Sequence, residues 1–159
     1  MFFVSSLLPL VAQEDPGQAA VAKLNVRVYF ASDSDITVAG GTAKTVEPAI
    51  RKRLESEERL RFKDYRLMGE DAQPLLRSYE SWAQPLKPSD EILLRFEAQG
   101  HPGAMGVSID LELWQGRQKI MKSDALLKPG VPLYILGPEW RGGRLIVSVV
   151  LAPMGKTRS

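Results

Sequence analysis

The clearest β-strand pattern in the chain is GVSIDLELWQGRQKIMKSDAL, residues 106–126. Apolar residues occupy every second position from Val107 to Leu113, which is the period expected of a β-strand with one buried face. Gln115-Gly116 interrupts the pattern, and a second candidate strand follows at 117–126. Strands joined by so short a turn must pair antiparallel, because a parallel connection needs a dozen or more residues.

The period of two recurs along most of the chain, with turn signals such as Gly69 and Pro129-Gly130 between the segments. The predicted strands are 23–31, 60–68, 75–86, 91–99, 106–115, 117–126, 131–136 and 144–152. About eight short strands at spacings near ten residues predict an antiparallel β-sandwich.

One segment has a helical period instead. An apolar stripe from Val46 to Leu54 repeats every four residues, and pairs of opposite charge lie four residues apart on the other positions. Thr45 can cap this helix, and Pro48 suits its first turn. The fold class is therefore mainly β (α+β), with one amphipathic helix at 46–59 that closes an end of the sandwich or covers an edge.

Composition narrows the function classes. A chain of 159 residues, 44% of them hydrophobic and 25% charged, suits one globular domain. It contains no cysteine, which excludes disulfides, thiolate catalysis and cysteine metal sites. A net charge of +2, with the two signs interleaved, argues against a nucleic-acid partner.

The N-terminal segment predicts export. MFFVSSLLPLVA has the length of the apolar core of a signal peptide and is too short to span a bilayer as a helix. Ala20-Val21-Ala22 has the small-x-small form of a cleavage site, and cleavage after Ala12 is a second option. Because no Lys or Arg precedes the apolar run, a short uncleaved anchor stays an alternative, and it would be the protein's only contact with a membrane.

These observations divide the chain into three parts. Residues 1–22 are predicted as signal peptide or anchor, 23–152 as a single β-sandwich domain and 153–159 as a flexible tail. The predicted location is the periplasm, the outer membrane surface or the extracellular space.

Catalytic chemistry is sparse in this sequence. His101 is the only histidine, so a catalytic triad or a histidine metal site would depend on this single turn residue. Asp110 and Glu112 share one face of a strand, about 7 Å apart by strand rise, within reach of glycosidase geometry. Alternation alone also explains these two carboxylates as part of a solvated face. We predict no catalytic residue, metal or cofactor, and keep a glycoside hydrolase using this pair as an alternative.

Aromatic residues and arginines give the best binding candidates. The predicted binding residues are Trp82, Trp114, Glu139, Trp140, Arg141 and Arg144. The last four lie in LGPEWRGGRL, residues 136–145, where a hairpin turn with Gly142-Gly143 at positive φ explains the glycines and the proline without any ligand. Exposed tryptophan beside arginine is common in protein interfaces. The alternatives are rings that only cover the ends of the sandwich, or a carbohydrate-binding surface.

The last two thirds of the chain resemble a known kind of protein. FKDYRLMGE, SYESWAQPL, PSDEILLRFE and IDLELWQGRQKIMKSDALLKPGVPLYILGPEWRGGRLIVSVVLA, within about Phe62 to Leu151, resemble small exported β-rich proteins found with type IV pilus-like secretion machinery in Gram-negative bacteria. The resemblance implies an immunoglobulin-like sandwich and a non-enzymatic role in the envelope or pilus system. It carries over no functional residue.

The expected partners follow from these points. Envelope or pilus-machinery proteins are the first prediction, and a carbohydrate is the alternative ligand. A homo-oligomer is also expected if VPLYIL (131–136) or LIVSVVL (145–151) lies at a sheet edge, because an open edge is a template for strand addition.

Overall fold

A computed structural model of the chain describes residues 15–83 and 91–152, with His101 described in its backbone alone. In this part the chain forms two antiparallel sheets and one α-helix. The mainly β class and the antiparallel sandwich are therefore confirmed. The immunoglobulin-like arrangement stays a prediction.

Each predicted strand has a counterpart. The strands are β1 Ala20–Ser32, β2 Lys44–Thr45, β3 Asp64–Leu76, β4 Ser81–Ala83, β5 Ile92–Gly103, β6 Gly106–Gln115, β7 Gln118–Leu127, β8 Leu133–Trp140 and β9 Gly143–Ala152, and the helix α1 is Pro48–Ser56. One sheet has the order β2-β3-β1-β9-β8, and the other has the order β4-β5-β6-β7. Backbone atoms of His101 lie in β5 and not in the predicted turn.

The strand β1 runs through the centre of the five-stranded sheet, between β3 and β9. Its alternation predicts its buried face correctly, since the inward side chains from Leu24 to Phe30 are almost fully buried. The strand begins earlier than expected, however, and Ala20 and Ala22 pair with Leu76 and Leu75 of β3. Residues 20–22, predicted to belong to the leader, therefore lie in the sheet.

The predicted turn at Gly69 is wrong. The strand β3 continues through this glycine to Leu76, and Gly69 pairs with Val28. Met68 has no partner across the ladder, so the glycine adjoins a β-bulge, a common place for glycine inside a strand. The strand predicted at 75–86 is correspondingly reduced to Ser81–Ala83, and 84–86 lie outside the described residues.

The four-stranded sheet contains residues 106–126, the segment with the clearest alternating pattern. The strands β6 and β7 form the predicted hairpin, and Gly116 provides the positive φ of +60° that its turn requires. Apolar residues of β5 and β6 face inward against β1 and β9 of the other sheet, and the two sheets share one hydrophobic core.

The helix differs from its prediction in extent and position. It is shorter than 46–59, and a 3₁₀ turn at Glu58–Leu60 follows it. Pro48 lies in the first turn, as predicted, but Thr45 belongs to β2, and Glu47 occupies the N-cap position without a capping side-chain hydrogen bond.

The helix covers the outer face of the five-stranded sheet, and not an end or an edge of the sandwich. Its Leu54 packs there with side chains of β1, β3, β8 and β9 in a second hydrophobic cluster. The buried members of this cluster are Tyr29, Ala31, Val46, Leu54, Leu60, Tyr65, Tyr134 and Ile146. The five-stranded sheet is therefore buried on both faces where α1 crosses it. The described residues contain no helix with the length and hydropathy of a membrane span.

Candidate functional site

The turn between β8 and β9 has its positive-φ residues one position earlier than predicted. They are Arg141, with φ +46°, and Gly142, with φ +79°, and Trp140 pairs with Gly143 across the turn. Two adjacent positive-φ residues are the requirement of a two-residue type I′ hairpin. In the described part of the chain, Arg141 is the only residue other than glycine with a positive φ.

Gly143 is needed for a different reason. A Cβ atom at this position would lie 2.3 Å from the carbonyl oxygen of Ala31 and 2.5 Å from the Phe30 ring. No side chain fits that space, so glycine allows the turn to close onto β1.

Trp140 is anchored at the end of the sandwich. Its ring contacts Phe30 edge-on, with 5.2 Å between ring centroids, and it packs against the main core. The Arg141 guanidinium lies 4.3 Å from the indole centroid, a cation–π distance, and its Nη1 donates a hydrogen bond of 2.9 Å to Val38 O. The indole is therefore half-buried and held from two sides.

A groove of about 600 Å³ opens beside this turn. The four predicted binding residues of the turn line it together with five others, and the full set is Glu139, Trp140, Arg141, Gly142, Gly143, Arg144, Asp33, Ser34 and Phe62. Asp33 and Ser34 come from the loop after β1, and Phe62 precedes β3. The turn thus forms one wall of a groove built by three separate segments.

The charged groups of the groove can still form hydrogen bonds or ion pairs with a ligand. Arg144 donates from Nε and Nη2 to Gly137 O, and Asp33 accepts from the backbone of Lys63. Among the described residues, neither Arg141 nor Arg144 has a carboxylate within ion-pair distance, and Glu139 has no ion pair either. The groove therefore presents both signs of charge without neutralising them internally.

Trp82 and Trp114 do not belong to this groove. They lie on the outer face of the four-stranded sheet, on β4 and β6, with ring centroids 6.4 Å apart and planes tilted by 47°. Lys119 Nζ stands 5.2 Å from the centroid of the Trp114 ring. The six predicted binding residues thus divide into two groups on different sheets.

Asp110 and Glu112 share that outer face, as predicted, but they are enclosed by cations. Arg95 Nη1 lies 3.4 Å from Asp110 Oδ2 and 4.0 Å from Glu112 Oε2, and the Arg95 side chain is 16% exposed. Lys119 Nζ is 3.1 Å from Glu112 Oε1, and Lys122 Nζ approaches both carboxylates to within 3.9 Å. Arg95 also binds Glu80 and Glu97.

This network changes the acidity of its carboxyls. The hydrogen bond from Lys119, with help from Trp114 and Arg95, lowers the pKa of Glu112 below its usual value. Hydrogen bonds from Arg95 and Trp82 likewise lower the pKa of Glu80. A glycosidase general acid needs a raised pKa, whereas the pKa of Glu112 is lowered, so Glu112 does not suit that role.

Sequence reasoning missed several residues of these two surfaces. Phe62 and Asp33 are far from the turn in sequence, and only the tertiary structure places them in the groove. No local sequence pattern predicts that either residue lies there. Arg95 had a signal, because it is the central outward residue of the predicted strand 91–99. Tyr29 and Tyr134 line a separate cavity of about 230 Å³ beside α1, which the sequence did not indicate.

In the described part of the chain, which does not include the His101 side chain, no group of three or more His, Cys, Asp or Glu side chains is arranged to hold a metal ion. In the segment SDSD, residues 32–35, Asp33 accepts a hydrogen bond from Lys63 N, and the Asp35 side chain accepts one from Thr37 N and caps the 3₁₀ turn at Ile36–Ala39.

Comparison with protein families, with curated proteins and with solved structures found no match to this chain. The resemblance to pilus-associated proteins therefore stays a prediction from the sequence.

Proposed function

We propose that this protein is exported and acts by protein–protein contact at the cell envelope, without catalysing a reaction. Its contact surface is the groove beside the Trp140–Gly143 turn. The observation that carries the proposal is the groove itself, because it combines a half-buried indole with two guanidiniums that lack carboxylate partners among the described residues. Tryptophan and arginine are the residues most enriched at the energetic centres of protein interfaces.

The backbone at Arg141 adds support. A non-glycine residue at positive φ costs about 1–2 kcal/mol, and strained backbone is concentrated at functional sites. Glycine would relieve this strain, although it would lose the contacts of the guanidinium with the Trp140 ring and Val38 O. A binding role for the guanidinium gives a reason for keeping it.

The chemistry of the groove favours a peptide segment with charged side chains. Arg141 and Arg144 can each donate charge-assisted hydrogen bonds to a carboxylate, and the Glu139 carboxylate can accept one from a basic side chain. The sequence resemblance supports partners that belong to a type IV pilus or a related secretion system.

The two alternatives have weaker support. One face of the Trp140 ring is occupied by Arg141, which reduces the surface available for stacking a sugar. The hydrolase would require a general acid, whereas the pKa of Glu112 is lowered by Lys119.

Site-specific photocrosslinking in cells that produce the chain tests the proposal. A photoreactive residue at Glu139 should capture a defined envelope protein, and the same probe at Met105 should not, because that exposed residue lies in the distant β5–β6 turn. Arg141→Gly should reduce the capture at least about tenfold without unfolding the protein, since glycine tolerates the positive φ.

Three results would count against the proposal. They are a groove probe that captures no more protein than the Met105 probe, capture that is unchanged in Arg141→Gly, and recovery of the protein solely from the cytoplasm. Binding on a glycan array that is lost in Arg141→Gly would favour the carbohydrate alternative.

A further inference from the structure

The edge strands of the two sheets are protected to very different degrees. The strand β9, which contains LIVSVVL, is central in its sheet, while β8, which contains most of VPLYIL, is at an edge. That edge is guarded, since Arg59 Nη2 donates 3.1 Å to Tyr134 O, Arg144 binds Gly137 O, and Pro138 has no N–H. Strand addition at these two segments is therefore disfavoured.

The strand β7 is the least protected edge. It pairs with β6 on one side and with no other strand of the described residues on the other, over ten residues, Gln118–Leu127, without proline or glycine. Leu126 is 51% exposed, and Met121 and Ala125 are only partly buried where they border the main core. A long edge of this kind is a template for another strand.

The charge pattern of β7 indicates which molecule pairs with its open edge. We propose that a second copy of this chain pairs with β7 in antiparallel fashion about a two-fold axis through Ser123, so that Lys122 of each copy faces Asp124 of the other. The dimer joins the two four-stranded sheets into one continuous sheet of eight strands. This interface is independent of the proposed function, because the groove belongs to the other sheet.

The register follows from the pleat and the charges. A two-fold axis between antiparallel strands is perpendicular to the sheet, so each outward residue must oppose an outward residue. Lys122 and Asp124 both face outward, since they pair with the outward Glu112 and Asp110 of β6. Centring the axis on Ser123 forms two opposite-charge pairs, whereas centring it on Lys122 or Asp124 opposes two like charges.

The inner face fits the same register. Met121 and Ala125 pair with the inward Leu113 and Ile109 of β6, so both face inward. Across the axis each Met121 opposes Ala125 of the second copy, which covers apolar surface that the edge leaves partly exposed. Gln99 Nε2 donates 3.1 Å to Asp124 Oδ1 and leaves Oδ2 for the partner lysine.

A charge-swap series measured by sedimentation equilibrium on the full chain tests this dimer. The natural chain should be a dimer, and Lys122→Asp or Asp124→Lys alone should weaken it at least about tenfold, because each change creates two like-charge pairs. The double variant should recover the natural dissociation constant. The unfolding curve of each variant should also be measured, because Lys122 lies near Asp110 and Glu112 of its own chain and its replacement can change the stability of the monomer.

A crosslink provides a second test that does not depend on charge. The chain has no cysteine, so Ser123→Cys introduces a single thiol at the axis, where two copies meet. Mild oxidation should convert most of this variant to a covalent dimer, while the exposed Ser108→Cys on β6, one strand away, should stay largely uncrosslinked.

Defined outcomes overturn the proposal. If the natural chain is monomeric at every concentration measured, the proposed dimer does not exist. This register is wrong if neither single charge change raises the dissociation constant of the dimer. It is also wrong if the double variant dissociates as readily as the single variants. Equal crosslinking of the Ser123→Cys and Ser108→Cys variants removes the axis.

Discussion

Gly143 and Gly142 are neighbours with different physical roles. At Gly143 a methyl group would collide with the Ala31 carbonyl and the Phe30 ring, whereas at Gly142 the space is empty and only the positive φ resists a side chain. Gly143→Ala should therefore lower the free energy of unfolding by about 2–3 kcal/mol. Gly142→Ala should lower it by about 1 kcal/mol.

Urea unfolding of both variants checks this order. Equal losses would mean that β1 moves aside at no cost, and the close approach would then not explain Gly143. The two glycines cannot be distinguished from the sequence, because the difference depends on where Ala31 and Phe30 lie in the folded chain.

Tyr65 ties the segment after the helix to the sheet. It is almost fully buried, its hydroxyl donates 2.7 Å to Leu60 O, and the same oxygen accepts 2.9 Å from Phe62 N. Tyr65→Phe leaves two backbone groups unpaired and should cost about 2 kcal/mol of stability.

Tyr79→Phe is the matched control, because Tyr79 is 45% exposed and its hydroxyl bonds the exposed Asp15. Its stability should stay within about 0.5 kcal/mol of the natural chain. Thermal or urea unfolding that ranks the two variants in the reverse order would contradict this role for Tyr65.

At the scale of elements, the start of β1 gives a prediction about the N-terminus. Ala20 and Ala22 pair with β3, the N–H of Arg77 donates 2.9 Å to Ala19 O, and the N–H of Ser78 donates 3.0 Å to Gly17 O. A chain that begins at Lys23 loses all of these contacts, while one that begins at Gln13 keeps them. The shorter chain should therefore be less stable by about 2 kcal/mol.

Urea midpoints of the two truncated chains check this prediction, and identical midpoints would contradict it. The comparison also bears on the two predicted cleavage sites. Removal after Ala12 preserves the paired start of β1, whereas removal after Ala22 does not.

Local patterns predicted which elements exist better than how they are arranged. Alternation identified β1 and β6 because it reports burial on one face, and that burial is a property of the strand itself. The position of α1 depends on pairing between distant strands, which no local pattern records. A signal was present in RLIVSVVLA, because nearly continuous apolar sequence is typical of a strand buried on both faces.

The candidate site was predicted in part for the same reason. Glu139, Trp140, Arg141 and Arg144 are close in sequence, so a single turn brings them together. Asp33 and Phe62 join them through tertiary structure alone. Trp82 and Trp114 lie apart from this turn on the other sheet, and parity along a strand does not reveal which sheet the strand belongs to.

At the scale of the whole molecule, the sandwich has two unlike outer faces. The five-stranded sheet carries α1 over a cluster that contains Tyr29, Tyr65 and Tyr134. The outer face of the four-stranded sheet carries the ionic network around Arg95 instead. The second face should therefore contribute to the acid response of stability, together with Asp64 beside α1, where hydrogen bonds and the cations Arg66 and Arg51 outweigh burial and lower the pKa of the carboxyl.

The sign of this response follows from the pKa of Glu112, which the Lys119 hydrogen bond lowers in the folded chain. Between the folded and unfolded pKa values the unfolded chain binds more protons, so acid favours unfolding. The contribution is complete above the unfolded pKa of about 4.3 and is lost as the pH falls through the folded value.

We therefore expect the free energy of unfolding to be nearly constant from about pH 7 to pH 5 and to fall below about pH 4.5. Glu112→Gln should be less stable at pH 7, because it loses its ion pair with Lys119, and its stability should fall less steeply in acid. Urea unfolding at a series of pH values measures both slopes. Parallel curves for the two proteins would mean that Glu112 titrates alike in the folded and unfolded chains, and the acid response would then have to come from other carboxyls, such as Glu80, whose pKa is also lowered by its hydrogen bond with Arg95.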